Sequence, residues 1–172
     1  MTDQVTDVSV SDVSVSDVSR LIAQLHATVD ELAALNVSAV SDTELVDTAA
    51  EVERAAARLP FVGDRLVVEI TERGLPRALG YRNVTTFLSH RLRIGEPGKR
   101  KRHLDATAHM CDLTGQPIEP RCPRLSEAMA DGRVGPKHVA EVLDVIDRIP
   151  AAIGHAEKVA AEQTLAGLAV EH

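Results

Sequence analysis

The chain has no tryptophan, one tyrosine and two phenylalanines among 172 residues. Its apolar surface therefore comes from Ala, Val and Leu. These small side chains let helices pack closely and favour an all-helical fold. It has two cysteines, Cys111 and Cys122, too few for a disulfide scaffold. It contains no run of 18 apolar residues, so no segment is expected to span a membrane. Its N-terminus has neither a basic start nor an apolar stretch, which excludes a secretory signal of the usual kind. The expectation is a soluble, cytoplasmic chain. No segment shows strand alternation joined to turn chemistry. Gly95 and Gly98 do not form a phosphate-cradling glycine loop.

What the chain does have is an uneven distribution of charge. The formal net charge is −7. Between Arg73 and His103, however, lie nine of the 19 Lys/Arg and one acid, Glu96, a local balance of +8. Residues 1–53 carry 11 acids against Arg20. The centre of the basic part is Lys99-Arg100-Lys101-Arg102-His103. A compact basic segment beside a turn suits a phosphate-binding surface. It equally suits a solvated helix end, and the acidic flank competes with DNA for it.

Residues 7–19 repeat Asp every five residues, at 7, 12 and 17. Low complexity predicts a disordered tail over 1–18, followed by a helical domain over 19–172. Leu21, Ile22, Leu25, Val29 and Leu32 recur at helical spacing and predict a helix ending near Asn36. Ser41 and Glu44 form a capping box. An apolar face then runs from Leu45 to Ile70. Pro60 predicts a kink, or two helices that meet there, and Gly74 predicts the stop. After a loop through Gly80, Asn83 caps a helix over 84–93. Ile94 to Pro97 is a turn into a helix over 98–110, and three prolines make 114–123 a loop. Shorter helices follow over 125–130 and 136–149, and a last one over 154–170. The total is an all-α bundle of about seven helices.

Two helix–turn–helix shapes arise. In the first, 84–110, the second helix begins with Lys99, Arg100, Lys101 and Arg102, the position that enters the DNA major groove in such motifs. Arg91 and Arg93 end the helix before it. Four consecutive basic residues cover every face of a helix, so at most two or three, with His103, can reach one groove. They also lie in a first turn, where the helix dipole disfavours cations unless a phosphate binds. The candidate DNA contacts are Arg91, Arg93, Lys99, Arg100, Lys101, Arg102 and His103. The second shape, 124–149, has mixed charge and suits packing. His103, His109, Cys111 and Cys122 match no close metal-ligand spacing, and nothing marks either thiol as an activated nucleophile. Neither a cofactor nor a metal is expected.

Several fragments in fixed order resemble a known family. They are Ser41–Glu44 with Glu53-Arg54 and Arg58-Leu59, then Glu72-Arg73-Gly74 leading to Leu79-Gly80-Tyr81. Asn83 to Leu88 with Phe87, Pro97-Gly98, Ala128 to Val134, His138-Val139 and Ile149-Pro150 follow. Over residues 20–170 the chain resembles the actinobacterial 13E12 repeat family, whose domain is the domain of unknown function 222. The family often has Trp where Phe87 stands, an acid where Lys99 stands, and no proline at the position of Pro60. Its helical region is commonly followed by an HNH endonuclease module. After Ile149 this chain has only His155 and His172 as histidines, so no nuclease residue carries over. The resemblance implies a truncated member or a fragment, a DNA-binding helical domain that is not itself an enzyme. The alternatives are a protein–protein interaction or oligomerisation module, and an inactive remnant of an HNH nuclease.

Overall fold

The computed structural model describes residues 15–112, 114 and 116–171. Contacts divide the chain into two units, one ending at Leu45 and one starting at Val46. In the first, α1 spans Val15–Ala34. It begins four residues before the expected start at Ser19, so 15–18 are helical rather than part of a disordered tail; the rest of that expectation lies outside the described residues. A 3-10 turn follows at Val37–Ala39, with the Asn36 carboxamide accepting the Ser38 N–H. The capping box forms as expected. The Glu44 carboxylate accepts from the Ser41 N–H and hydroxyl, and the Ser41 hydroxyl accepts the Glu44 N–H at 3.4 Å.

The second unit contains most of α2, Asp42–Glu72, which runs through Pro60 as one helix. The proline removes one N–H from the ladder but does not end the element. The Pro60 carbonyl also accepts a bond from outside the helix, from the Arg100 guanidinium at 2.7 Å. Gly74 adopts the left-handed conformation expected at a helix stop. A short helix not foreseen in the sequence, α3, occupies Leu75–Ala78. The Asn83 side chain accepts the Thr86 N–H at 2.8 Å and caps α4, Val84–His90. α5 spans Pro97–Thr107.

α5 ends before the expected 110, and a small antiparallel pair joins β1 at Met110–Cys111 to β2 at Pro117–Ile118 inside the expected loop. Its turn is built on Asp112, whose carboxylate accepts the N–H groups of Thr114 and Gln116. Two-residue strands are too short to show alternation, which is why the sequence pattern missed them. α6 at Pro123–Ala130, α7 at Pro136–Ile146 and α8 at His155–Glu171 complete the fold. Among the described residues, eight α-helices carry the structure, and no helix is long and apolar enough to cross a membrane.

Two apolar clusters make the core. One gathers Leu125, Met129, Val134, Val139 and Leu143 with Ala106 and Ala166. The other gathers Val67, Val68, Phe87, Leu88 and Leu104. α5 therefore belongs to both, through Ala106 and Leu104. Glu162 of α8 is buried, and one of its carboxylate oxygens accepts the Leu125 N–H at 2.9 Å. It thus satisfies a first-turn donor of α6 that no local side chain caps.

Candidate nucleic-acid interface

Because α5 touches both clusters, its basic first turns face different surroundings residue by residue. Arg100 points back to α2. Its Nε lies 2.7 Å from the Asp64 carboxylate, and the side chains are 17% and 4% exposed. Arg102 reaches α7, where it meets Asp144 and Asp147, and Arg121 shares Asp147 at 2.9 Å. These two arginines tie three helices together. Lys101 pairs with Asp105 one turn along its own helix, on an exposed face. His103 is buried. Burial holds its pKa below the usual imidazole value, with Arg100, Arg102 and Lys99 adding to the effect, so it is neutral at pH 7.

Asp64 sits in an unfavourable place for a charge. Neither of its oxygens has a well-aligned hydrogen bond, close as the guanidinium is. Burial pushes its pKa up to about 6 from the ordinary 3.8, with Arg100 opposing. The folded carboxyl thus keeps its proton up to about pH 6, whereas the unfolded one loses it near 3.8. Folding takes up a proton between those values, so this group makes the chain less stable as pH rises through them. Urea unfolding of the wild-type chain and of Asp64→Asn checks this. The wild type loses about 2 kcal/mol relative to the variant between pH 4 and pH 7. Parallel pH profiles would contradict the assignment.

The remaining basic residues face outward. Lys99 is 61% exposed and pairs only with exposed Glu96. Arg91 and Arg93 are exposed and have no acidic partner among the described residues. Arg93 takes a left-handed φ of 56° in the turn between α4 and α5. α5 packs beside α7. Both helices open on a proline, Glu96-Pro97 at α5 and Gly135-Pro136 at α7, and neither N-cap side chain bonds its helix, although at α7 the His138 ring accepts the Gly135 N–H at 3.3 Å. Each first turn therefore keeps N–H donors and a partial positive charge. Both starts line one groove of about 500 Å³, with Glu96, Lys99, Arg100, His103, Pro136 and Lys137 around it. Lys137 is 87% exposed, with Glu141 at 3.8 Å. Exposed pairs of this kind contribute at most about 1 kcal/mol and exchange readily for another anion.

The structure thus separates the sequence candidates. Lys99 lies on the groove, while Arg91 and Arg93 lie free on the helix pair before it. Arg100 and Arg102 are engaged inside the fold, Lys101 faces away with Asp105, and His103 is buried. Lys137 was not among the candidates, although it follows the helix-opening Pro136 directly, as Lys99 follows Pro97 after Gly98. Other groups offer little chemistry. Burial pushes the Cys122 thiol up to about 11, which leaves it protonated and unreactive at neutral pH. Among the described residues, no three His, Cys, Asp or Glu side chains gather as metal ligands.

Comparison with known proteins places the chain in a family. The chain is 29% identical over 132 residues to the uncharacterized protein Rv3466 of Mycobacterium tuberculosis, covering 76% of this chain and 59% of that one. It is 28% identical over 132 residues to the uncharacterized protein Mb1614c of Mycobacterium bovis, with the same coverage. It is 25% identical over 146 residues to the uncharacterized protein Rv1945 of M. tuberculosis, covering 84% of this chain and 32% of that one. The chain thus spans from about a third to three fifths of the length of these relatives. No solved structure matches it. The model of the domain of unknown function DUF222 matches residues 46–172, the second unit described above, and the chain belongs to that family.

Proposed function

We infer that the chain is a cytoplasmic helical domain that holds duplex DNA by its phosphates and performs no bond-breaking step itself. The observation that carries this reading is the convergence of two helix starts, each with a lysine and neither bonded by its own N-cap side chain, on one groove. Backbone N–H donors at a helix start and a nearby ammonium are what a phosphate requires. Arg91 and Arg93 add two unpaired guanidiniums on the helix pair leading into it. A phosphate in the groove also resolves the dipole conflict of Lys99, because it places an anion between the cation and the helix start. In this reading the DNA is gripped by its backbone. No base-reading residue is assigned.

Titration of the full chain against duplex DNA, single-stranded DNA and RNA tests it. Four phosphate contacts predict a slope of roughly −3 to −4 in log affinity against log salt for the duplex. Affinity then falls about a hundredfold over about a fourfold rise in salt. The double variant Lys99→Ala, Lys137→Ala weakens duplex binding at least tenfold. Absence of duplex binding at low salt, or affinity indifferent to salt, would refute the reading. A second reading, a helix-pairing module, is supported by a different observation. Seven large apolar side chains of the first unit, from Val18 to Leu35, are between 39% and 59% exposed.

A further inference from the structure

We propose that the groove between α5 and α7 takes the phosphorylated end of a DNA strand, a phosphate monoester, in preference to an internal phosphodiester. This rests on the phosphate reading of the groove and names the group that enters it. The added observation is His103. Its side chain lines the groove and is 6% exposed, and its Nε2 has no hydrogen-bond partner among the described residues. A buried polar atom left without a partner is costly, and one on the wall of a groove is met at no such cost by a ligand. His103 lies four residues after Lys99, so the two side chains share one face of α5. That face carries an ammonium at the rim and a ring nitrogen at the floor. Lys137 adds a second ammonium from α7.

Charge, depth and size each select a monoester. At pH 7 a monoester carries almost two negative charges, whereas a diester carries one. Lys99 is held by Glu96, and Lys137 has Glu141 at 3.8 Å. A dianion displaces these carboxylates more readily than a single charge does. An internal phosphate has chain on both sides and lies on the outside of the duplex, so it reaches a rim lysine but not a buried ring. A monoester enters with one ester bond behind it and three free oxygens ahead. The neutral His103 ring donates to one of them when its proton sits on Nε2. The others face the N–H groups of Gly98 and Lys99, which precede the first bond of α5, from the Arg100 N–H to the Glu96 carbonyl. A groove of about 500 Å³ also exceeds what a phosphate fills, and Ile94, Pro136 and Ala140 offer apolar wall to the attached sugar.

Titration of the full chain with one short duplex in three forms tests this: hydroxyl at every end, phosphate at both 5′ ends, or phosphate at both 3′ ends. At least one phosphorylated form binds about tenfold tighter than the hydroxyl form, the effect of one hydrogen bond to a charged group. His103→Leu removes the donor and abolishes the preference while leaving the hydroxyl form bound as before. His103→Gln places an amide donor near the position of Nε2 and keeps the preference, which guards against a Leu variant that does not fold. Equal wild-type affinity for all three forms overturns the proposal, and a salt-dependent affinity would still leave the phosphate reading standing. So does a preference that persists in folded His103→Leu. Deoxyadenosine monophosphate, with its nucleoside as control, separates the two ideas in the other direction. A chain that binds this monoester and not the nucleoside, yet binds no duplex, keeps a monoester site and loses the DNA reading.

Discussion

Arg100→Ala lowers the unfolding free energy by about 3 kcal/mol at pH 8, but only by about 1 kcal/mol at pH 5. The pH dependence follows from its partner. At pH 5 Asp64 already holds its proton in the folded chain, since its pKa stands at about 6. The variant then loses only the hydrogen bond to the Pro60 carbonyl and the packing of the arginine stem. Above pH 6 the wild-type carboxyl is ionised beside the guanidinium, whereas the variant has no counter-charge and keeps the proton. Each pH unit above 6 then adds up to about 1.4 kcal/mol to the cost. Urea unfolding at the two pH values reads the difference. An equal cost at both would mean that the arginine acts by packing alone.

Gly132→Ala costs about 3 kcal/mol and lowers the melting temperature by about 10 °C. Gly132 ends the turn between α6 and α7 at a φ of +71°. A Cβ there would stand 2.5 Å from the Arg54 carbonyl oxygen and 2.7 Å from Arg58 Cγ on α2. The first of these atoms is backbone and cannot swing away. Arg58 also donates to the Ala130 carbonyl at 3.0 Å, so the contact between α2 and this turn is held from both sides. Gly74 provides the internal control. Its φ is +65°, and a Cβ there meets nothing within 4 Å. Gly74→Ala therefore costs only the backbone strain, about 1 kcal/mol. Thermal unfolding of the two variants side by side separates strain from clash. Equal losses would show that α2 is not pressed against the turn.

Most helix limits were legible because they depend on local chemistry. Asn83 and the Ser41–Glu44 pair announce helix starts, Pro97 and Pro136 occupy first positions, and Gly74 and Gly132 mark stops. At Pro60 the sequence leaves one helix or two open, and the structure has one helix running through it; Arg100, which reaches the Pro60 carbonyl, lies 40 residues further on. The same distance hides the fate of the basic run. Nothing near Arg100 or Arg102 in sequence reveals that Asp64, Asp144 and Asp147 will meet them. Composition alone makes Lys99 to Arg102 look like one patch, but helical geometry sends neighbours 100° apart and the tertiary contacts divide them. Lys137 escaped notice because its own segment has balanced charge. It matters only beside Lys99, and that adjacency arises from packing of α5 against α7.

The division of the basic run is the central claim, and Lys99 and Lys101 test it most directly. They are two residues apart, both exposed, and both held only by an acid of their own helix. Lys99 lines the groove and Lys101 does not. The measurement is the salt dependence of duplex binding for Lys99→Ala and Lys101→Ala. Lys99→Ala should weaken binding several-fold and reduce the slope by about 0.9, the signature of one lost phosphate contact. Lys101→Ala should leave affinity and slope as in the wild type. Equal losses at the two positions would contradict the account, because the run would then act as undirected charge.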